Sequence, residues 1–432
     1  MNKFLNILRN AWKTPDLRAK VVFTLLLLTI YRIIAHIPIP GVNFEALKNL
    51  FAQNQFLGLL NMFSGGALAN FSIIALGLNP YINSSIIFQL LGMVFPKIEE
   101  MQKEGESGMR KINQYTRILT VPLAAIQSIS IYFLLRSQGI IQGLKVSELA
   151  ILIITLTTGA VLLVWLGELI TEYGIGNGIS FLIFAGILSG MPISITQIAV
   201  TQTGEGFFNL ILFAALALLV IGGIVLVNEA QRQIPIQYAR RVRGTRQYGG
   251  GTTHLPLRLN QAGVIPIIFA ISLMLIPGMV ANFIVNSGIN MPRVINIAQF
   301  ISDLFTHDNL FYAAFYFILV LAFTYFYTAV TFNPEKIAEN LQKNGGFIPG
   351  IRPGRITANY LNWILTRITL PGAIFLGVIA VLPMLTRFAF PTMGNVLSLG
   401  GTSILIVVSV VLETVKSMEA MMLMRSYEGF LE

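Results

Sequence analysis

The chain has 432 residues, of which 55% are hydrophobic and 11% charged, where a soluble domain carries about 25% charged residues. Its formal net charge is +10 and it has no cysteine, which excludes disulfides, thiol catalysis and cysteine-ligated metal. With a mean hydropathy of +0.72 and several apolar runs longer than a core helix needs, it reads as an all-α polytopic membrane protein.

In chain order, residues 2–13 form an amphipathic helix within an N-terminal interfacial segment, 1–19. Phe4, Leu5, Leu8, Ala11 and Trp12 share one face and Lys3, Arg9 and Lys13 the other, the pattern of a helix lying in the membrane interface. Thr14 is placed to cap the next helix, with Pro15 at its first position. Span 1 covers 20–37, with Arg32 near its far end, able to snorkel. It stops at Pro38 and Pro40-Gly41. The first apolar run has no small-residue cleavage site before the next span, so no cleavable leader is expected.

Residues 56–70 (FLGLLNMFSGGALAN) are apolar but too short to cross, and Gly58, Gly65 and Gly66 break them. Residues 71–95 are long enough for span 2, yet they carry Asn79, Pro80, Asn83, Ser84, Ser85 and Gln89. Two readings fit. One is a re-entrant piece followed by a polar-faced helix, both lining a path, since incomplete spans survive at membrane depth only inside protein or beside water. The other is an interfacial loop followed by an ordinary packed helix kinked at its proline.

Span 3 covers 114–135, span 4 149–170, span 5 179–200, span 6 209–228, span 7 262–285, span 8 310–332, span 9 364–385 and span 10 398–415. Long polar segments occupy 229–260 and 333–362, and a tail 416–432. With the N-terminus inside, inner segments hold 23 lysines and arginines and outer segments 6, which sets the orientation and supports an even number of spans. Gly77-Leu78-Asn79-Pro80 in span 2 has a counterpart in Gly263-Val264-Ile265-Pro266 in span 7. Each motif lies in the second helix of five, so the chain reads as two inverted halves, 20–200 and 201–415, with the interrupted helices at the path.

The inner loops hold the most informative polar residues. Loop 6/7 carries Arg232, Arg240, Arg241, Arg243, Arg246 and Arg258. Loop 8/9 carries Lys336, Lys343, Arg352 and Arg355. Such loops can dock RNA, an acidic protein or anionic lipid, and their length favours a docking platform. Catalytic signatures are absent: no Walker loop, no H-E-x-x-H, no G-x-S-x-G. No cofactor motif stands out, and the three histidines have no ligand spacing. No Asp or Glu lies mid-span, which argues against an ion-coupled secondary transporter of small solutes, the competing reading. A membrane enzyme fits less well still. What remains is a pore with a hydrophobic constriction.

Seven stretches resemble the SecY family, the central subunits of protein-conducting channels: NMFSGGAL (61–68), KEGESG (103–108), WLGELITEYGIGNGIS (165–180), THLPL (253–257), AGVIPIIFA (262–270), GGFIPGIRPG (345–354) and GGTSILIVV (400–408). They occur in family order over nearly the whole chain. The resemblance implies ten transmembrane helices in two inverted five-helix halves around a central pore with a re-entrant plug, about 57–70. The plug would include Leu59, Leu60, Asn61, Met62, Phe63, Ser64, Gly65, Gly66, Ala67 and Leu68. By motif position the constriction ring would fall on Leu78, Ile82, Ile179, Ile183, Ile268 and Ile406. Leu78 stands where isoleucine is expected. Asn83, Ser84 and Gln89 would belong to a gate that opens sideways between spans 2–3 and 7–8. Arg240, Arg241, Arg243, Arg246, Arg352 and Arg355 would meet the ribosome, through its RNA, and the motor ATPase SecA. The implied partners are SecE, SecG, SecA, the ribosome, secretory precursors with their signal sequences, and the lipid bilayer. The implied location is the bacterial cytoplasmic membrane, with both termini cytoplasmic.

Overall fold

The computed structural model describes residues 14–40, 47, 64–137, 139–141, 144–201, 206–238, 241–243, 246–248, 251–286, 291–305, 309–389 and 401–428. The expected interfacial helix at 2–13, plug residues 57–63 and Arg240 lie outside these. The described residues are mostly helical. In order they form α1 (Pro15–Ile34), α2 (Asn79–Val94), α3 (Pro96–Lys103), α4 (Glu106–Ser137), α5 (Val146–Tyr173), α6 (Gly178–Thr201) and α7 (Gly206–Glu229). Strands β1 (Gln231–Tyr238), β2 (Arg241–Arg243), β3 (Arg246–Tyr248) and β4 (Thr252–Arg258) follow. Then come α8 (Ile265–Asn286), α9 (Pro292–Leu304), α10 (Leu310–Thr331), α11 (Pro334–Lys343), β5 (Gly346–Phe347), α12 (Arg355–Ala389) and α13 (Gly401–Glu428).

Each of the ten stretches read as spans thus contains a helix, whereas residues 64–70 of the shorter apolar piece are turns. Among the described residues, Glu106–Phe133, Val146–Tyr173, Leu310–Lys343 and Arg355–Thr386 are each long and apolar enough to cross a membrane.

Span 2 differs from its expectation. Residues 71–78 are turns, and the helix begins only at Asn79. Gly77 adopts φ +59°, outside the helical region, and Pro80 sits in the first turn of α2, where its missing N–H costs nothing. The proline therefore starts the helix rather than kinking it. Pro15 starts α1 as expected, and the Thr14 carbonyl accepts the Arg18 N–H at 2.9 Å.

The chain divides into two compact units: Met1–Phe207 with Ser272–Asn309 and Val410–Glu432, and Phe208–Ile271 with Leu310–Ser409. In the first, the turn segment before α2 is the centre of a core. Leu68, Phe71, Ala75 and Leu76 pack with Ala124 and Tyr132 of α4 and Leu152, Leu156 and Ala160 of α5. Gly159 of α5 makes this possible, because a Cβ there would overlap the Ile73 carbonyl oxygen. The α5–α6 turn is fixed by side chains. Thr171 Oγ1 accepts from Gly178 N–H (2.9 Å), Asn177 Oδ1 from Ile179 N–H (3.1 Å), and Thr24 Oγ1 of α1 from Ile175 N–H (3.3 Å). The Gly174–Gly178 run is a helix–helix turn.

In the second unit, β1 and β4 form an antiparallel ribbon in which Ile234 faces Leu255 and Ile236 faces Thr253, with β5 on the other side of β1. Ile234, Ile236 and Leu257 point inward onto Phe332, Leu361, Ile364 and Leu365. Burying each contributes about 1.5–3 kcal/mol. Gln233, Pro235 and Gln237 alternate outward. The loop expected from polarity alone is therefore a ribbon fastened to the first turns of α12.

Candidate functional site

Residues 64–78 run without helix between α1 and α2, so their backbone groups need partners from elsewhere. Most come from within. Ala67 and Leu68 donate to the Ser64 carbonyl and hydroxyl (3.3 and 3.1 Å), and Ser72 donates to Ala67 (2.9 Å). A two-residue bridge to the chain after α1 supplies two more: Ile39 N–H to Phe71 C=O at 2.9 Å and Ile73 N–H to Ile37 C=O at 3.2 Å. Phe71 at its centre is fully buried with φ +41°, a conformation that a bulky residue keeps only when its surroundings impose it.

Ser64 and Gly65 of this segment are held from α1. Arg32 Nη1 donates to the Gly65 carbonyl at 2.8 Å, and the Tyr31 hydroxyl donates to the Ser64 carbonyl at 3.4 Å. The expected snorkelling of Arg32 is thus replaced by an internal bond. Gly65 also touches α6: a Cβ there would lie 2.8 Å from Gly186 Cα and overlap the Tyr31 hydroxyl. Gly65 of the expected plug is accordingly wedged between α1 and α6, while 59–63 lie outside the described residues.

Four of the ring candidates belong to the first unit. Leu78 and Ile82 are four apart at the start of α2, and Ile179 and Ile183 are four apart at the start of α6, so each pair shares a helix face. Leu78, Ile82 and Ile183 are buried and Ile179 half-buried. In the second unit, Ile268 is half-buried in the first turn of α8 and Ile406 is buried in α13. All six occupy helix-start or mid-helix positions with no charged neighbour in sequence within three residues.

Of the gate candidates, Ser84 is fully buried and donates to the Thr116 carbonyl of α4 at 2.7 Å. Gln89 Nε2 reaches Ser85 Oγ at 3.4 Å, and its buried Oε1 has no partner among the described residues. Asn83 is half-buried on α2.

The basic candidates divide in two. Arg241, Arg243 and Arg246 lie on the β2–β3 hairpin, with Arg243 opposite Arg246. Arg352, in the turn ahead of α12, and Arg355, its first residue, are exposed. Gly350 (φ +82°) and Gly354 (φ +98°) shape that turn, and Thr357 Oγ1 pins it by donating to the Arg352 carbonyl at 2.9 Å. On α11 beside it, the hydrogen bond from Lys343 at 2.7 Å holds the Glu339 carboxyl below its ordinary range.

One polar cluster escaped the sequence reading. Asn260, after β4, donates to Asn228 of α7 (2.9 Å) and to the Gly263 carbonyl (3.2 Å), and Asn228 donates to Ser409 of α13 (2.9 Å). Leu259 N–H closes the ribbon base on the Ala230 carbonyl at 2.8 Å. The ribbon is thereby tied to α7, α13 and the turn that leads into α8. Isolated asparagines in a sequence give no signal of such pairing.

The family model SecY matches residues 72–415. Protein translocase subunit SecY of Mycobacterium tuberculosis is 45% identical over 451 aligned residues, covering 100% of both chains. The SecY of Streptomyces galbus is 45% identical over 442, covering 99% of this chain and 100% of its own. Among solved structures, one of SecY, described by a plug domain that stabilises the closed state of the translocation channel, aligns with a TM-score of 0.62 at 19% identity, over 93% of this chain and 92% of that one. A yeast Ssh1 complex bound to the 80S ribosome aligns at 0.57 and 14% identity, over 92% and 89%. The fold is that of these channels. With the family model spanning most of the chain and full-length relatives at 45% identity, the chain belongs to the SecY family.

Proposed function

We propose that the chain is a passive protein-conducting channel. It passes unfolded secretory polypeptides across the cytoplasmic membrane of a bacterium and releases apolar segments sideways into lipid. Ten spans, in halves 20–200 and 201–415, surround an hourglass path, with both termini cytoplasmic. The six apolar ring residues seal around any passing sequence because they make no sequence-specific contact. The chain supplies no catalysis; SecA, the ribosome or the membrane potential drives transport. SecE and SecG accompany it, and the basic hairpin and the turn at Arg352 and Arg355 meet SecA and ribosomal RNA.

The observation that carries this reading is the non-helical backbone of residues 64–78, enclosed by α1, α4, α5 and α6. A bundle made only to pack would run α2 through this region as helix. Irregular backbone at membrane depth belongs where protein or a water-filled path surrounds it.

The absence of native cysteine allows a direct test. One cysteine is placed at Ile183 and another, separately, at Val378 on the exposed side of α12. Each protein is reconstituted with SecE and SecA, a precursor with a single cysteine is stalled in transit, and the sample is oxidised. A crosslink at position 183 and none at 378 is expected. Transit without any crosslink at 183 would refute the path, and no transit at all would return the small-solute transporter reading.

A further inference from the structure

Helix α9 has no part in the ring, the plug or the docking loops. Its 13 residues begin a few positions after α8 ends at Asn286 and finish shortly before α10 begins at Leu310. It lies at the end of α8 opposite the β4 end. At about 100° per residue, its side chains fall into three sectors. Ala298, the one buried side chain among the described residues of α9, marks the first, which faces the protein. Val294, Ile297 and Phe300 form the second and are exposed, Ile297 by 61% and Phe300 by 65%. Asn296, Gln299 and Asp303 form the third, also exposed, centred about 130° from the apolar sector.

A helix with one face on protein needs only one solvent face if it is surrounded by water. Two chemically distinct exposed faces match the two sides of a membrane interface. The position of α9 fits one. Just beyond its C-terminal end, Phe305 packs beside Gly278 of α8, its Cβ 3.9 Å from where a Gly278 Cβ would be. Gly278 is eight residues before the end of α8, about 12 Å along the helix axis. The chain therefore turns back along α8 instead of rising away from it, which keeps the C-terminal end of α9 beside the last turns of α8. Val280 and Leu273 of α8 are exposed apolar residues as well.

We propose that α9 is a lipid anchor. It lies in the headgroup–acyl boundary with Val294, Ile297 and Phe300 in the acyl region and Asn296, Gln299 and Asp303 in water. Arg293, exposed at the N-terminal end of the stripe, lays its stem on lipid and reaches lipid phosphates. The occupant of the apolar face is the bilayer itself. This rests on α8 crossing the membrane, and the experiment separates the two statements.

Single cysteines at 280, 296, 297, 299 and 300 are introduced into the cysteine-free chain and spin-labelled. The full chain with its partner subunits is reconstituted in vesicles of phosphatidylethanolamine and phosphatidylglycerol. Collision with oxygen, which concentrates in lipid, is compared with collision with a water-soluble nickel chelate. The oxygen-to-nickel ratio at 297 and 300 is expected to exceed that at 296 and 299 severalfold and to approach that at 280. Nickel access at 297 and 300 with oxygen preference retained at 280 would overturn the anchor and leave the span standing. Nickel access at 280 as well would remove the span. Labels at 297 and 300 shielded from both reagents would show a protein partner on that face and equally overturn the proposal.

Discussion

Arg32 and Gly65, 33 residues apart, are joined by one short bond: the guanidinium of α1 donates to the glycine carbonyl at 2.8 Å. The donor is charged and the acceptor sits in a segment that has no helix of its own. Such a bond contributes about 1.5–3 kcal/mol, which makes Arg32 the principal polar tie between α1 and residues 64–70.

Replacing Arg32 by alanine should therefore loosen that segment. Resting ion conductance through reconstituted protein in planar bilayers is expected to rise about tenfold or more, the population change that the lost bond implies. Arg32→Lys keeps the charge and a donor and should leak less. Conductance equal to the parent in both variants would remove the tie from the seal.

Gly65 and Gly66 offer a matched comparison. Both have positive φ, at +69° and +82°, so alanine costs about 1 kcal/mol at either from the backbone. Only at Gly65 does the new Cβ also meet Tyr31 and Gly186, whereas at Gly66 it enters open space. Thermal unfolding should show a clearly larger fall in Tm for Gly65→Ala than for Gly66→Ala. Equal shifts would mean that the wedge between α1 and α6 contributes nothing.

The ring assignment predicts a chemical asymmetry. Ile82→Asn or Ile183→Asn should raise resting leak, because a polar side chain wets the constriction, while Ile→Leu at the same positions should stay tight. Leu78 already occupies one of the six positions. Anion and cation flux into sealed vesicles reads this out, and a tight asparagine variant would move that residue out of the ring.

The exposed turn at Arg352 and Arg355 should act through phosphate. Charge reversal at either is expected to weaken co-sedimentation with ribosomes and to lower the slope of log affinity against log salt by about one per lost contact. An unchanged slope would assign these arginines to a protein surface instead.

Much of this was legible in the sequence because composition dominates it. Ten apolar stretches left little choice but helix, and a helix lies in each. The ribbon was not legible. Its alternation in QRQIPIQY is regular, but Pro235 and Pro256 each remove a ladder donor and mask the strand pattern. They are tolerated because burial of Ile234, Ile236 and Leu257 fixes the register from one face. The start of α2 was misplaced because hydrophobicity continues through 71–78, while the break depends on backbone torsion at Gly77. Arg32 and the Asn228–Asn260–Ser409 cluster depend on contacts between residues 33, 32 and 181 positions apart, which no local pattern announces.

The two Gly-x-x-Pro motifs have a mechanical consequence. Gly77 and Gly263 both lie at positive φ, +59° and +65°, and in each case a proline three residues later is the second residue of the helix that follows. A swivel at the glycine lies upstream of the helical ladder, and the proline has no N–H to be torn from a partner. Either helix can change its tilt from its base, with the torsional cost confined to one residue that has no side chain. Stiffness and mobility are thereby assigned to positions three residues apart, and a Cβ at Gly77 or Gly263 would strain the joint at its positive φ.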